Sequence, residues 1–153
     1  MQALQTRITR KIEFDAGHRI PNHESKCRNL HGHRYVLEVT VEGPVVITGS
    51  GRSDEGMVID YGSLKSIATQ HIGEPWDHAL LLWDQDPIRR GLNLPPYHKT
   101  VLLPVVPTAE NLARIAFETL DAVFKKAGVL KLVQVRLYET PNCWADYYQA
   151  LPR

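Results

Sequence analysis

The chain has 153 residues, with 18 lysines and arginines against 17 aspartates and glutamates. We expect residues 1–153 to form a single domain, because this is the usual length of one domain. The near-neutral charge excludes a strongly basic nucleic-acid-binding protein, and 43% hydrophobic residues exclude a disordered chain. The unusual feature is histidine, with seven residues against two cysteines.

Cysteine content and hydropathy indicate where the protein works. Two cysteines, Cys27 and Cys143, do not make a disulfide framework, which predicts a reducing compartment. Residues 1–8 contain no apolar segment typical of a signal peptide. The longest apolar run, residues 79–83, is too short to cross a bilayer. We therefore expect a cytoplasmic protein.

The first third of the chain predicts two long strands. Apolar and polar residues alternate over residues 6–18, which indicates a half-buried strand whose apolar parity reaches His18. A polar loop follows, and a second alternating strand runs over about residues 31–42. The turn-rich segment after it leads to a short predicted strand around residues 57–59.

Two helices are predicted from their capping residues and apolar spacing. Asp60 is a typical N-cap, and the helix after it is expected to end at Gly73. Thr108 is a second N-cap, with Glu110 in the first turn, where the helix dipole favours negative charge. This second, amphipathic helix is expected to end near Gly128.

The remaining segments complete the predicted fold class. Residues 84–107 carry five prolines and read as a long loop with a short strand at residues 101–103. Alternation over residues 133–137 predicts a long strand, and residues 144–149 a last short one. Strand pairs at both ends with helices between them predict an α+β fold, an antiparallel sheet with two helices packed on one face.

Three histidines form the strongest candidate site. His31 and His33 are two residues apart in a predicted strand, so their side chains point to the same face. If the first two strands pair antiparallel, His18 lies beside them. Three imidazoles with an open fourth position are the pattern of catalytic zinc, which polarises a ligand oxygen. The alternative is a short, common pattern beside an unrelated His18.

Cys27 leaves more than one interpretation open. It lies four residues before His31, so it could complete a closed structural zinc site as the fourth ligand. Its neighbours Lys26 and Arg28 are cations, which favour a reactive thiolate. A free cysteine without a chemical role is the third interpretation. Cys143 has no such neighbours and is expected to contribute only packing.

Two acidic positions add candidate proton-transfer and ligand-binding groups. Asp77 and His78 are adjacent, which is typical of a base with its orienting carboxylate, although sequence neighbours often point apart. Glu139 continues the apolar parity of the strand before it and needs a partner. That partner is either an internal arginine or a ligand with two adjacent N–H groups, such as the edge of a pterin.

Taken together, these motifs resemble the 6-pyruvoyl-tetrahydropterin synthase superfamily over about residues 8–149. The closest branch is 6-carboxy-tetrahydropterin synthase of the queuosine (7-deazaguanine) pathway. Five motifs stand in the family's order: Phe14-Asp15-Ala16-Gly17-His18, Cys27 with His31-Gly32-His33, Asp77-His78, Pro107-Thr108-Ala109-Glu110-Asn111, and Glu139-Thr140-Pro141.

The resemblance implies the tunnelling fold (T-fold), a homo-oligomer, usually a hexamer, and active sites at subunit interfaces. It implies Zn²⁺ on His18, His31 and His33. It makes Cys27 the general base, helped by Asp77 and His78. It makes Glu139 the pterin anchor and a member of the relay. Thr108 and Glu110 complete the implied substrate-binding set. No nucleic acid or membrane partner is expected.

The distance in sequence between Cys27 and His31-Gly32-His33 indicates the carboxy-forming branch. In the family, the pyruvoyl-forming enzymes have more residues between the cysteine and His-Gly-His than the three found here. The implied reaction is zinc-dependent conversion of 7,8-dihydroneopterin triphosphate to 6-carboxy-5,6,7,8-tetrahydropterin, with release of acetaldehyde and triphosphate. The alternatives are 6-pyruvoyl-tetrahydropterin synthase and a non-catalytic pterin- or purine-binding module. Residues 84–106 look longer than in the compact bacterial pattern.

Overall fold

A computed structural model describes residues 5–128 and 130–150, so the predicted domain of residues 1–153 extends beyond the described residues at both ends. The described residues form six strands: β1 Gln5–His18, β2 His31–Pro44, β3 Ala79–Trp83, β4 Thr100–Leu103, β5 Lys131–Thr140 and β6 Cys143–Tyr148. The helices are α1 Tyr61–Ala68, a π-helical turn Thr69–Gly73 that continues it into α2 Glu74–Trp76, and α3 Ala109–Ala127.

All six strands form one mixed sheet in the order β4-β3-β1-β2-β5-β6. The pairs β1–β2, β2–β5 and β5–β6 are antiparallel, whereas β3 runs parallel to β1 and β4 runs parallel to β3. The sheet is therefore mixed, where the sequence predicted an antiparallel one. The β1–β2 register is unbroken from Gln5 opposite Pro44 to His18 opposite His31. This register places two of the candidate histidines side by side at one end of the strand pair.

The core lies between one face of the sheet and the helices. Alternate residues of β1 and β2, such as Phe14 and Tyr35, are buried against apolar residues of the helices, such as Leu64 and Leu120. The opposite face of the sheet carries charged pairs, such as Arg7 with Glu42. The predicted fold class, a sheet with two helices on one face, is confirmed.

The boundaries differ from the sequence prediction in three places. Residues 57–59 are not a strand: the Met57 carbonyl oxygen accepts the Val46 N–H and the adjacent Gly56 N–H donates to the Val46 carbonyl oxygen, but no ladder continues from these two bonds. The apolar run at Ala79–Trp83, which the sequence analysis did not assign, is a strand. Gly73 does not end the first helix, since burial of Ile72 and Trp76 carries the chain through another turn. In the described part of the chain, no helix is long and apolar enough to cross a membrane.

Candidate active site

The structure brings His18, His31 and His33 together on the core-facing side of β1 and β2. One ring nitrogen from each lies within 4.8 Å of the other two, and the Nε2 atoms of His18 and His31 are 3.1 Å apart. Cys27 is not in this group among the described residues. The geometry therefore favours a three-histidine site over a closed site with Cys27 as the fourth ligand.

Backbone carbonyls fix the orientation of two of the three imidazole rings through hydrogen bonds at Nδ1. The Nδ1–H of His18 donates to the Pro107 carbonyl oxygen at 2.8 Å, and that of His31 donates to the Asn29 carbonyl oxygen at 2.7 Å. These bonds leave both Nε2 lone pairs free to bind a ligand. Among the described residues, the buried Nε2 of His33 has no hydrogen-bond partner. A transition metal such as zinc would satisfy all three nitrogens, so the donor set fits this cofactor.

Burial also sets the protonation state of the cluster. Desolvation lowers the pKa of His18 below the ordinary histidine value, although the bond to Pro107 and the charge of Glu139 act in the opposite direction. Desolvation likewise lowers the pKa of His33, again against Glu139. Both effects favour the neutral imidazole, which is the metal-binding form of histidine.

Glu139 faces the cluster from the neighbouring strand pair. Its carboxylate oxygens lie 3.9 Å from Nε2 of His18 and 3.6 Å from Nε2 of His33, and its side chain is 25% exposed. The irregular register between β5 and β6 falls at this point, between Tyr138 and Thr140. The bulge lets a carboxylate near the end of β5 reach the histidines and the adjoining cleft.

Tyr35 is a neighbour of the site that the sequence analysis did not select. Its ring contacts those of His18 and His33, with centroids 6.0 Å and 5.7 Å away. Its hydroxyl is buried with no hydrogen-bond partner among the described residues, and burial together with the charge of Glu139 raises the pKa of Tyr35. The sequence signal that could have placed Tyr35 at the site is its position in β2, where it shares a face with His31 and His33. The neutral ring supports the cluster from the core side.

A cleft of about 280 Å³ adjoins the cluster. Four predicted site residues line it: Cys27, Thr108, Glu110 and Glu139. Cys27 lies half-buried in a single turn of 3₁₀ helix, Lys26–Arg28, and Thr108 caps α3 by accepting a bond from the Asn111 N–H. His23, Cys143 and Trp144, which the sequence analysis did not select, also line the cleft.

Asp77 and His78 form the predicted pair at the turn between α2 and β3. Their side chains are joined by a 2.9 Å contact between Nδ1 of His78 and Oδ2 of Asp77. The other carboxylate oxygen of Asp77 accepts the Asp15 backbone N–H at 3.0 Å, and this bond, followed by the one to His78, lowers the pKa of Asp77. His78 has a positive φ of 57°, a conformation that non-glycine residues adopt at a cost.

The Asp77–His78 pair and Cys27 lie in different parts of the chain's surface. His78 lines an open cavity of about 580 Å³ together with Gly17, Gly32 and Arg34, and His33 of the cluster also lines it. Cys27 lines a separate, smaller cleft. The structure therefore brings together the histidines, Glu139, Cys27 and the start of α3, but leaves His78 facing outward with its side chain 78% exposed.

Comparison with known proteins agrees with this arrangement. The sequence profile of the family described as 6-pyruvoyl tetrahydropterin synthase matches residues 7–150. The 6-carboxy-5,6,7,8-tetrahydropterin synthase of Rickettsia bellii is 39% identical and covers 92% of this chain and 98% of its own. The enzyme of the same name from Haemophilus influenzae is 35% identical, with 94% and 99% covered.

A solved structure agrees as well. The 6-pyruvoyl tetrahydropterin synthase of Caenorhabditis elegans matches with a TM-score of 0.66 at 26% identity, covering 98% of this chain and 99% of that one.

Fold, site and relatives together define a lyase-type enzyme, a pterin synthase with the T-fold. The chain belongs to the 6-pyruvoyl tetrahydropterin synthase family. The resemblance inferred from the five ordered motifs is thereby confirmed. The non-catalytic binding module is set aside, because the matched relatives are synthases.

Proposed function

We propose that the protein converts 7,8-dihydroneopterin triphosphate and water into 6-carboxy-5,6,7,8-tetrahydropterin, acetaldehyde and triphosphate. The observation that carries this proposal is the cluster of three histidines beside a cleft that holds Cys27 and Glu139. The names of the matched relatives support the carboxy product. The role would be in queuosine (7-deazaguanine) biosynthesis in the cytoplasm, with residues 1–153 acting as one domain.

His18, His31 and His33 would hold Zn²⁺, since their free nitrogens converge and two of the rings are fixed by backbone carbonyls. When bound, Zn²⁺ supplies Lewis-acid polarisation of the hydroxyl oxygens on the pterin side chain. The chain's own contribution is to keep these imidazoles neutral and rigid before the metal arrives.

Glu139 would orient the pterin. A carboxylate accepts two parallel N–H bonds, which matches the N3–H and 2-amino edge of the ring. Its place between the histidines and the cleft supports this role, because the side chain of the bound pterin then points toward the cluster. Thr108 and Glu110, at the start of α3, would form the neighbouring wall of the pterin site.

Cys27 would remove a proton from the substrate side chain as the general base. The Asp77–His78 pair would relay the proton: Asp77 holds Nδ1–H of His78, so Nε2 is the atom that accepts or returns it. Because His78 faces outward, we place the complete active site between two copies of the chain, in a homo-oligomer that the family resemblance makes a hexamer.

Incubation of the purified, zinc-loaded protein with 7,8-dihydroneopterin triphosphate tests this proposal. Mass spectrometry should show 6-carboxy-tetrahydropterin, and coupled assays should show equal amounts of acetaldehyde and triphosphate. Triphosphate release without acetaldehyde would instead identify 6-pyruvoyl-tetrahydropterin synthase, for which the family's name provides the support. Release of neither product with zinc present would contradict both assignments.

A further inference from the structure

The segment between β3 and β4, residues 84–99, ends in a lysine that reaches the turn of the Asp77–His78 pair. The Nζ of Lys99 donates to the Asp77 carbonyl oxygen at 2.7 Å and also to the Glu74 carbonyl oxygen. Glu74 begins α2, and Asp77 is the residue at which that helix ends. One ammonium group thus satisfies two carbonyls at a helix C-terminus, where positive charge is favourable.

The bond to Asp77 acts on the peptide group that carries His78. The carbonyl of this peptide is held by Lys99, and its N–H, which belongs to His78, donates to the Asp15 carbonyl oxygen at 2.6 Å. The peptide plane is therefore fixed from both ends. His78 adopts its positive φ at the next bond, so the clamp holds the strained conformation that directs the imidazole.

The backbone around Lys99 is itself held by hydrogen bonds and strand pairing. The Lys99 carbonyl oxygen accepts the Leu80 N–H at 2.9 Å, and Thr100, the first residue of β4, pairs with Leu80 of β3. His98 lines the same cavity as His78 and contacts the Thr100 hydroxyl through Nδ1 at 2.9 Å. Residues 84–99 thus return to the sheet beside the Asp77–His78 pair and place Lys99 against it.

We infer that Lys99 is a positioning residue for the Asp77–His78 pair and acts by clamping the peptide between them. It is not a catalytic residue, because its contacts are to backbone carbonyls. Its kinetic consequence rests on the function proposed above. The clamp keeps Nδ1–H of His78 on the Asp77 carboxylate, whereas an imidazole free in water prefers the proton on Nε2.

The test compares Lys99→Met with Lys99→Arg, which retains N–H donors, and with Lys126→Met, which removes an exposed lysine near the end of α3. In ¹⁵N-histidine-labelled protein at a pH where His78 is neutral, its ring nitrogen shifts report the tautomer. We expect Lys99→Met to move His78 toward the Nε2–H tautomer, Lys99→Arg to restore the wild-type signal in part, and Lys126→Met to leave it unchanged. Lys99→Leu, which also lacks a donor, serves as a second variant if Lys99→Met does not fold.

In the product assay, kcat of Lys99→Met should fall about tenfold or more, with KM and zinc content near wild type. An unchanged His78 tautomer in Lys99→Met, or in Lys99→Leu where that variant is used, overturns the inference even if the melting temperature falls. If wild-type protein forms no product while the tautomer shifts as expected, the proposed function fails and the positioning role stands.

Discussion

The histidine cluster and the Asp77–His78 turn are held in opposite ways by the same sheet. His18 is 1% exposed, and the cluster rests on Tyr35 and on backbone carbonyls from two loops. His78 is 78% exposed, lies on a strained turn, and depends on contacts from Asp15 and Lys99. The three histidines of the cluster come from one chain, whereas the ring of His78 faces solvent in that chain.

Loss of a cluster ligand should have the largest effect. We expect His31→Ala to lose most of its zinc and to show no measurable turnover, because two imidazoles rarely hold catalytic zinc. His31 is only half-buried, so the fold should survive. Metal analysis and circular dichroism check this, with His71→Ala in the π-helical turn after α1 as the control. Wild-type zinc content in His31→Ala would contradict the three-histidine assignment.

Cys27→Ala should separate catalysis from metal binding. We expect turnover to fall by about 10²- to 10⁴-fold, the range for loss of a general base, while zinc stays bound. Cys143→Ala is the matched control, because this exposed cysteine lines the same cleft. Its turnover should stay within about twofold of wild type. Strong zinc loss in Cys27→Ala would instead support Cys27 as a ligand.

Glu139→Gln should weaken pterin binding. The amide keeps the shape of the carboxylate but accepts only one N–H bond, so we expect kcat/KM to fall by about 10- to 100-fold. Glu110→Gln in the same cleft provides the comparison. The kinetics of both variants, with zinc measured in parallel, decide the role. An unchanged kcat/KM in Glu139→Gln would show that Glu139 interacts with the histidine cluster but does not bind the pterin.

The smallest expected effect is on the stability of the metal-free protein. Because burial lowers the pKa of His18 and His33 below the ordinary value of 6.5, the unfolded chain binds more protons as the pH falls below that value. The free energy of unfolding should therefore rise with pH up to about 6.5 and then level off. Denaturant titrations across this range test the slope, which His33→Asn should reduce. An equal slope in both proteins would count against the buried-histidine account.

Sequence patterns located the cluster well, because strand alternation fixes which side chains share a face. The parity of β1 and β2 and their antiparallel pairing were enough to bring His18 to His31. Thr108 and Gly128 bounded α3 as predicted, since caps are encoded locally.

The Asp77–His78 side was harder to predict because it depends on distant contacts. β3 lies parallel to β1, and such pairing leaves no local turn signal. Lys99 reaches Asp77 from 22 residues away in sequence, so no motif marks the contact. The exposed mouth of the cleft, with Trp144, likewise depends on how β6 pairs with β5.

The most direct test asks whether Cys27 of one chain and the Asp77–His78 pair of another form one active site. Cys27→Ala and His78→Ala, each inactive alone, are co-expressed with different tags, and mixed oligomers are purified through both tags. With random mixing, sites shared between neighbouring chains should recover activity at about a quarter of the wild-type level. Mixed oligomers as inactive as the two variants alone would show that Cys27 and His78 do not meet between subunits.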